Sequence, residues 1–204
     1  VVHMMNLTAV QALQRGVAAH KEGHLHEAEQ FYRTVLLSKS RYLETPHDID
    51  VIAEAYTNLG VSLQQRGDRD AAIDSFKQAV KIKPNYTEVY YVMGHAFRDK
   101  GDLRASIDCC QQAVSNNPGN ADALINLGAA LQHNGELEAA IESYQQALKI
   151  SPECAEAHNN LGSTFLEKGY LGAAIDSYKE AIKIKPDYAN AYNNLGTTLI
   201  DQNK

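Results

Sequence analysis

The sequence is poor in cysteine, with Cys109, Cys110 and Cys154 only. Three thiols, two of them adjacent, cannot build the disulfide framework that staples small secreted domains, so a reducing, cytoplasmic location is expected. There is no excess of cations either. The 19 lysines and arginines face 25 aspartates and glutamates, leaving a formal charge of −6. Nucleic-acid binders carry a basic footprint, so nucleic acid is not an expected partner. No apolar run approaches the roughly 20 residues that span a bilayer, and no membrane partner is expected. The opening stretch, VVHMMNLTAV, lacks the basic region and long apolar run of a secretory signal. What remains, 44% hydrophobic and 22% charged, is the balance of a soluble folded chain.

What is abundant is repetition. Pro84, Pro118, Pro152 and Pro186 stand 34 residues apart, as do Gly67, Gly101, Gly135 and Gly169. Gly60, Gly94, Gly128, Gly162 and Gly196 form a third series, and Ala79, Ala113, Ala147 and Ala181 a fourth, all in one phase. With the third series at position eight, repeats span 53–86, 87–120, 121–154 and 155–188, and a last fragment covers 189–204. Residues 9–42 fit in register through Gly16, Gly23, Ala28 and Tyr32, leaving LETPHDIDVI (43–52) as an insertion. Ser40 replaces the proline there, so the second helix of that repeat is expected to run on towards Pro46.

Within a repeat the apolar spacing is helical. Tyr56, Leu59, Gly60 and Leu63 follow the i, i+3, i+4, i+7 pattern, and Ala72, Ile73, Phe76, Ala79 and Val80 repeat it after Gly67. The glycine supplies a left-handed residue to end the first helix, and Pro84 opposes continuation of the second. Small residues such as Gly60 and Ala72 are read as letting the two backbones approach. Each helix is about 14 residues, or roughly 21 Å. A lone hairpin of this kind cannot bury its apolar faces, so the repeats must stack.

These units resemble tetratricopeptide repeats, whose pattern AEAYTNLGVSLQQRGDRDAAIDSFKQAVKIKP (53–84) follows nearly throughout. The resemblance covers 9–42 and 53–204. It departs at position four, often tryptophan in the family, which is Tyr56, Tyr90, Leu124, His158 and Tyr192. It departs again at Cys110, where the other repeats carry Phe76, Tyr144 and Tyr178. The resemblance implies an all-α, right-handed α-solenoid, a superhelix of stacked helix-turn-helix hairpins forming a single domain over 1–204. It further implies that first helices line a concave face where extended peptides bind.

At about 100° per residue, positions two, six, nine and thirteen of the first helix point away from the hairpin core. Position six is Asn58, Asn126, Asn160 and Asn194, and Val92 breaks the series. An amide accepts and donates at once, so a ladder of them can hold a peptide backbone without demanding a sequence. The set resembles the asparagine ladder in the repeats of O-GlcNAc transferase. The adjacent Asn159 and Asn193 are read as surface decoration. Position two adds Glu54, Glu88, Asp122 and Glu156, and position thirteen Asp99, His133 and Glu167; Tyr91 and His95 complete the candidate peptide-binding set. Across the last five repeats these positions hold no lysine or arginine, Arg98 at the margin being the main exception, so a basic or polar, extended partner is expected. The position-two acids have a second explanation, since carboxylates near a helix N-terminus favour its dipole. The cation clamp by which some relatives grip acidic chaperone tails is missing, with Leu13, Val17, Thr57, Val61 and Glu88 at its sites.

No enzyme, cofactor or metal is expected. His20, His24 and His26 scatter around the turn at Gly23, and no second cluster completes a zinc site. Cys110 falls at a packing position, while Cys109 is expected to be more exposed and open to oxidation. The insertion reads as a lengthened helix-and-loop connection whose Leu43, Ile49, Val51 and Ile52 cover one edge. The last helix keeps interior residues Tyr192, Leu195 and Leu199, so the chain is expected to be part of a longer protein or to self-associate through exposed terminal helices. The function expected is therefore a non-catalytic interaction scaffold. The alternatives are the substrate-recognition arm of an O-GlcNAc-transferase-like enzyme and a self-assembling scaffold.

Overall fold

The structure is a computed structural model that describes residues 7–37 and 45–202. Those residues form eleven helices and no strand. The chain divides into two compact units, Val1–Asp102 and Leu103–Lys204. In the first lie α1 (Ala9–Lys21), α2 (Leu25–Leu37), α3 (Pro46–Gln65), α4 (Arg69–Ile82) and α5 (Thr87–Lys100). The second holds α6 (Leu103–Asn116), α7 (Ala121–His133), α8 (Leu137–Ile150), α9 (Ala155–Glu167), α10 (Leu171–Ile184) and α11 (Ala189–Gln202). Odd-numbered helices are the first helices of repeats and even-numbered ones the second, giving the all-α helical repeat class.

Local chemistry sets the helix ends. Gly101 and Gly135 leave their helices at φ 88° and 80°, a left-handed turn that side chains resist. Asp68 and Asn120 cap α4 and α7 by accepting from Ala71 N and Ala123 N at 3.3 and 3.2 Å. The insertion behaves differently from a loop. Thr45 and Asp48 form a capping box, Pro46 takes the first helical position, and α3 runs unbroken for 20 residues. Residues 46–52 are thus the opening turns of a first helix, with Val51 and Ile52 buried and Ile49 partly so. Ser40, Leu43 and the path from α2 towards Pro46 lie outside the described residues.

Packing within four of the hairpins turns on a ring and a missing side chain. A Cβ on Gly16, Gly60, Gly128 or Gly162 would come within 2.5–2.7 Å of the ring of Tyr32, Phe76, Tyr144 or Tyr178. The position-eight glycine therefore houses an aromatic ring of the second helix, a more specific role than simple backbone approach. In the second unit Ile107, Cys110, Leu124, Leu131, Tyr144, Ala157 and Leu161 belong to one buried cluster. Cations at position fourteen tie repeats together on the outside: Arg66 to Glu29, Lys100 to Asp70 at 2.5 Å, and Lys168 to Glu138.

Cys109 corrects the expectation of exposure. It is only 6% exposed, buried like Cys110, because its place in the second helix is a buried small-residue site. Ser75, Ser143 and Ser177 hold the same position and are buried too.

Candidate functional site

The first helices bring the candidate residues together in each unit separately. In the second unit, α7 and α9 flank an open cleft of about 490 Å³ lined by Gln132, His133, Asn160, Ser163 and Glu167. Three of these five were expected from the sequence; Gln132 and Ser163 were not. Gln132 spans the cleft, donating from Nε2 to Glu167 Oε1 at 2.5 Å and accepting from the Tyr144 hydroxyl at 3.2 Å. Ser163 Oγ accepts from the Tyr178 hydroxyl at 3.3 Å and lies 3.2 Å from the Asn159 carbonyl, to which it donates. Burial pushes the Tyr178 phenol up, so it remains a donor. His133 Nδ1 lies 2.7 Å from the carbonyl oxygen of Ala129, which can only accept. A ring proton therefore sits on Nδ1, and whenever the ring carries only that one, Nε2 is an acceptor.

The asparagines differ among themselves. Asn126 Nδ2 donates to the Asp122 carbonyl of its own helix at 2.6 Å. Asn194 Nδ2 donates to Asn159 Oδ1 at 3.1 Å, and Asn159 Nδ2 to Asn160 Oδ1 at 3.4 Å. A short amide chain thus crosses from α11 to α9 and ends in the cleft at Asn160, whose own amide nitrogen has no partner among the described residues. Asn159 is only 7% exposed, which overturns its reading as decoration. It faces the next first helix, and Asn193, the corresponding residue of α11, is exposed. Asn159→Ala is therefore expected to cost about 1–2 kcal/mol of stability, with Asn193→Ala near neutral, in parallel urea titrations. Asn58 is half-buried on α3.

In the first unit the same cross-helix bond recurs. Gln64 Nε2 donates to Asp99 Oδ2 at 3.2 Å, joining α3 to α5 as Gln132–Glu167 joins α7 to α9. Position twelve, glutamine in both, was the missed signal. Tyr91 and His95 stack tilted at 5.1 Å, and Arg98 donates to His95 Nδ1 at 2.6 Å. That margin cation is held by the very ring expected to meet a ligand.

The position-two acids divide. Glu88, Asp122 and Glu156 sit in the first turns of α5, α7 and α9, where the dipole explains them. Glu54 does not, because α3 begins eight residues earlier. Burial first, then the charges of Glu54 and Glu88, holds the Tyr86 phenol above its usual range, so both acids bear on one ring. Glu156 stands in the same relation to Tyr188, whose phenol is raised chiefly by burial. No group of three His, Cys, Asp or Glu among the described residues is placed to hold a metal ion. Nor is any described helix long and apolar enough to cross a membrane.

Family models described as tetratricopeptide repeat match 53–86, 87–120 and 109–142, and one described as TPR repeat matches 133–169 and 162–203. The chain belongs to the tetratricopeptide-repeat family, whose members mediate protein–protein interactions. No curated protein matches it in sequence. Among solved structures it is similar to YrrB, a TPR protein with an unusual peptide-binding site, at 22% identity and a TM-score of 0.73 over 91% of each chain. It is similar to the MamA protein at 26% identity and TM-score 0.73, over 89% of this chain and 93% of that one. A thermophilic TPR protein of Thermus thermophilus follows at 23% identity and TM-score 0.67, over 95% of this chain and 100% of that one.

Proposed function

We propose that the chain is a non-catalytic, cytoplasmic interaction module that binds an extended, basic or polar segment of a partner protein along the face of its first helices. The observation that carries this is the α7–α9 cleft. It gathers an amide nitrogen without a partner (Asn160), an imidazole acceptor (His133) and a carboxylate (Glu167), with no lysine or arginine in its lining. A peptide backbone carbonyl suits the Asn160 donor, a backbone N–H suits His133 Nε2, and a basic side chain suits Glu167. Asp99, paired to Gln64, offers the same carboxylate in the first unit.

An unbiased peptide-display selection on the purified chain tests this. Extended peptides carrying basic or polar residues should be enriched. Asn160→Ala and Glu167→Gln should each weaken the best of them about tenfold, while circular dichroism shows an unchanged fold. Asn126→Ala should have a smaller effect, since that amide is spent on its own helix. Enrichment that survives both cleft variants moves the site elsewhere.

A second reading is that the module presents substrates to a larger enzyme of the O-GlcNAc-transferase kind. The recurrence of asparagine at position six on four first helices favours it. The length of the natural gene product separates the two: a large domain beyond residue 204 is required by the second reading only.

A further inference from the structure

Four position-eight glycines, Gly16, Gly60, Gly128 and Gly162, hold the ring of an antiparallel second helix. Gly196 on α11 is the same position, and nothing lies within 4 Å of the Cβ it would carry. Glycine in the middle of a helix weakens it, so an empty gap is a cost without a return. The neighbours of the gap are open as well. Leu63 and Leu131 are buried at position eleven of α3 and α7, whereas Leu199 of α11 is 38% exposed. Leu124 is buried at position four of α7, whereas Tyr192 is 50% exposed.

The exposed residues share one stripe. At about 100° per residue, Ala189, Gly196, Leu199 and Ile200 fall within about 80° of Tyr192, and all five are exposed. Asp201, the one charged residue of α11, falls about 180° from Tyr192. Ala191 and Thr198, on the side away from the stripe, are buried. The stripe therefore carries both halves of the packing device used inside the hairpins. Tyr192 is a ring, and Gly196, one turn further along, is a gap for one. Ala189 and Gly196 bracket Tyr192 with small residues, as Ala140 and Ala147 bracket Tyr144 and Ala174 and Ala181 bracket Tyr178.

We infer that this stripe is the contact surface for a second copy of the chain, with the two α11 helices packed antiparallel about a twofold axis level with Asn194. Residues 192 and 196 lie about 3 Å to either side of that level, at 1.5 Å per residue. Tyr192 of each copy therefore meets Gly196 of the other, and the two contacts form together. A twofold contact of this kind is self-complementary and closes at two copies. No charge is desolvated, since the stripe has none. One 14-residue helix from each copy makes a contact at the low end of specific interfaces, below about 1,200 Å². The dimer is accordingly reversible, with a dissociation constant of roughly 10–100 μM. Asn194, the counterpart of the cleft residue Asn160, falls about 160° from Tyr192. The contact thus stands whether or not the α7–α9 cleft takes a peptide.

Sedimentation velocity of the full chain, from well below to well above that constant, tests this. The mass should rise from one copy to two and no further. Tyr192→Ala and Gly196→Ala should each weaken the dimer at least about tenfold. Thr197→Ala, on the far side of α11, should leave it unchanged. Alanine at 196 adds helix propensity to the dilute monomer, so its loss of association is not a loss of fold, as circular dichroism should show. Mixing reads the register. In an equimolar mixture of the Tyr192→Ala and Gly196→Ala chains, the intact Tyr192 of one meets the intact Gly196 of the other, and the second contact pairs alanine with alanine. The mixture should associate more tightly than either variant alone. A parent chain that stays monomeric throughout, growth beyond two copies, or a dimer that Gly196→Ala leaves intact overturns the proposal. So does a mixture no tighter than its components, since ring and gap would then not meet.

Discussion

Gly128→Ala lowers the urea midpoint of unfolding, whereas Gly196→Ala, the same position in the last first helix, raises it. A Cβ on Gly128 would lie 2.7 Å from Cε1 and 2.8 Å from Cζ of Tyr144. That ring cannot yield cheaply. It is fully buried in the cluster with Leu124, Leu131 and Leu161, and its hydroxyl is tied to Gln132. Overpacking of this kind costs about 1–3 kcal/mol. Gly196 is exposed in the middle of α11, and a Cβ there meets nothing within 4 Å. Alanine at such a site gains about 0.5–1 kcal/mol by helix propensity alone. The same substitution at the same register thus has opposite signs. Shrinking the ring in Gly128→Ala, Tyr144→Leu should recover part of the loss and show a coupling energy, since the two residues touch. Equal midpoints for the two single variants would mean that the glycine is not there for the ring.

Most of the architecture was legible because its determinants are local and periodic. Turn glycines, post-helix prolines and i, i+3, i+4 spacing recur every 34 residues, and each dictates its own helix end or face. The contents of the site were less legible, because burial there depends on the neighbouring repeat. Asn159 and Asn193 have the same sequence context, yet one is enclosed by the next first helix and the other is not. Gln64 and Gln132 read as ordinary polar surface until their distances to Asp99 and Glu167 are known. Residues 46–52 broke the period and so read as an insertion, although Thr45, Pro46 and Asp48 carried the start signal of a helix. The Cys109 thiol was misplaced for a simpler reason: its burial follows from the serines that share its position in other repeats, a comparison that a single helix does not offer.

Glu29 answers to the same comparison, and gives the second large effect. The corresponding residue in the other four complete repeats is isoleucine, at Ile73, Ile107, Ile141 and Ile175. Glu29 nevertheless lies buried, at 7% exposure, with Arg66, the residue that caps the end of α3, against Oε1 and Arg33 Nη2 4.0 Å from Oε2. Removing one partner of a buried pair leaves an uncompensated charge, which costs about 3–5 kcal/mol when both are enclosed. The Arg66 side chain is 36% exposed and Arg33 remains nearby, so Arg66→Ala should cost less, about 2 kcal/mol. The opposite truncation behaves differently. Glu29→Ile restores the apolar residue of the other repeats and leaves Arg66 free to hydrate, so it should be neutral or stabilising by about 1 kcal/mol. The asymmetry is the test, read as two denaturation midpoints against the parent chain. If Glu29→Ile destabilises as much as Arg66→Ala, the pair itself stabilises the join between α2 and α3. If Arg66→Ala is silent, the carboxylate is solvated or held by Arg33 alone, and the buried-pair account fails.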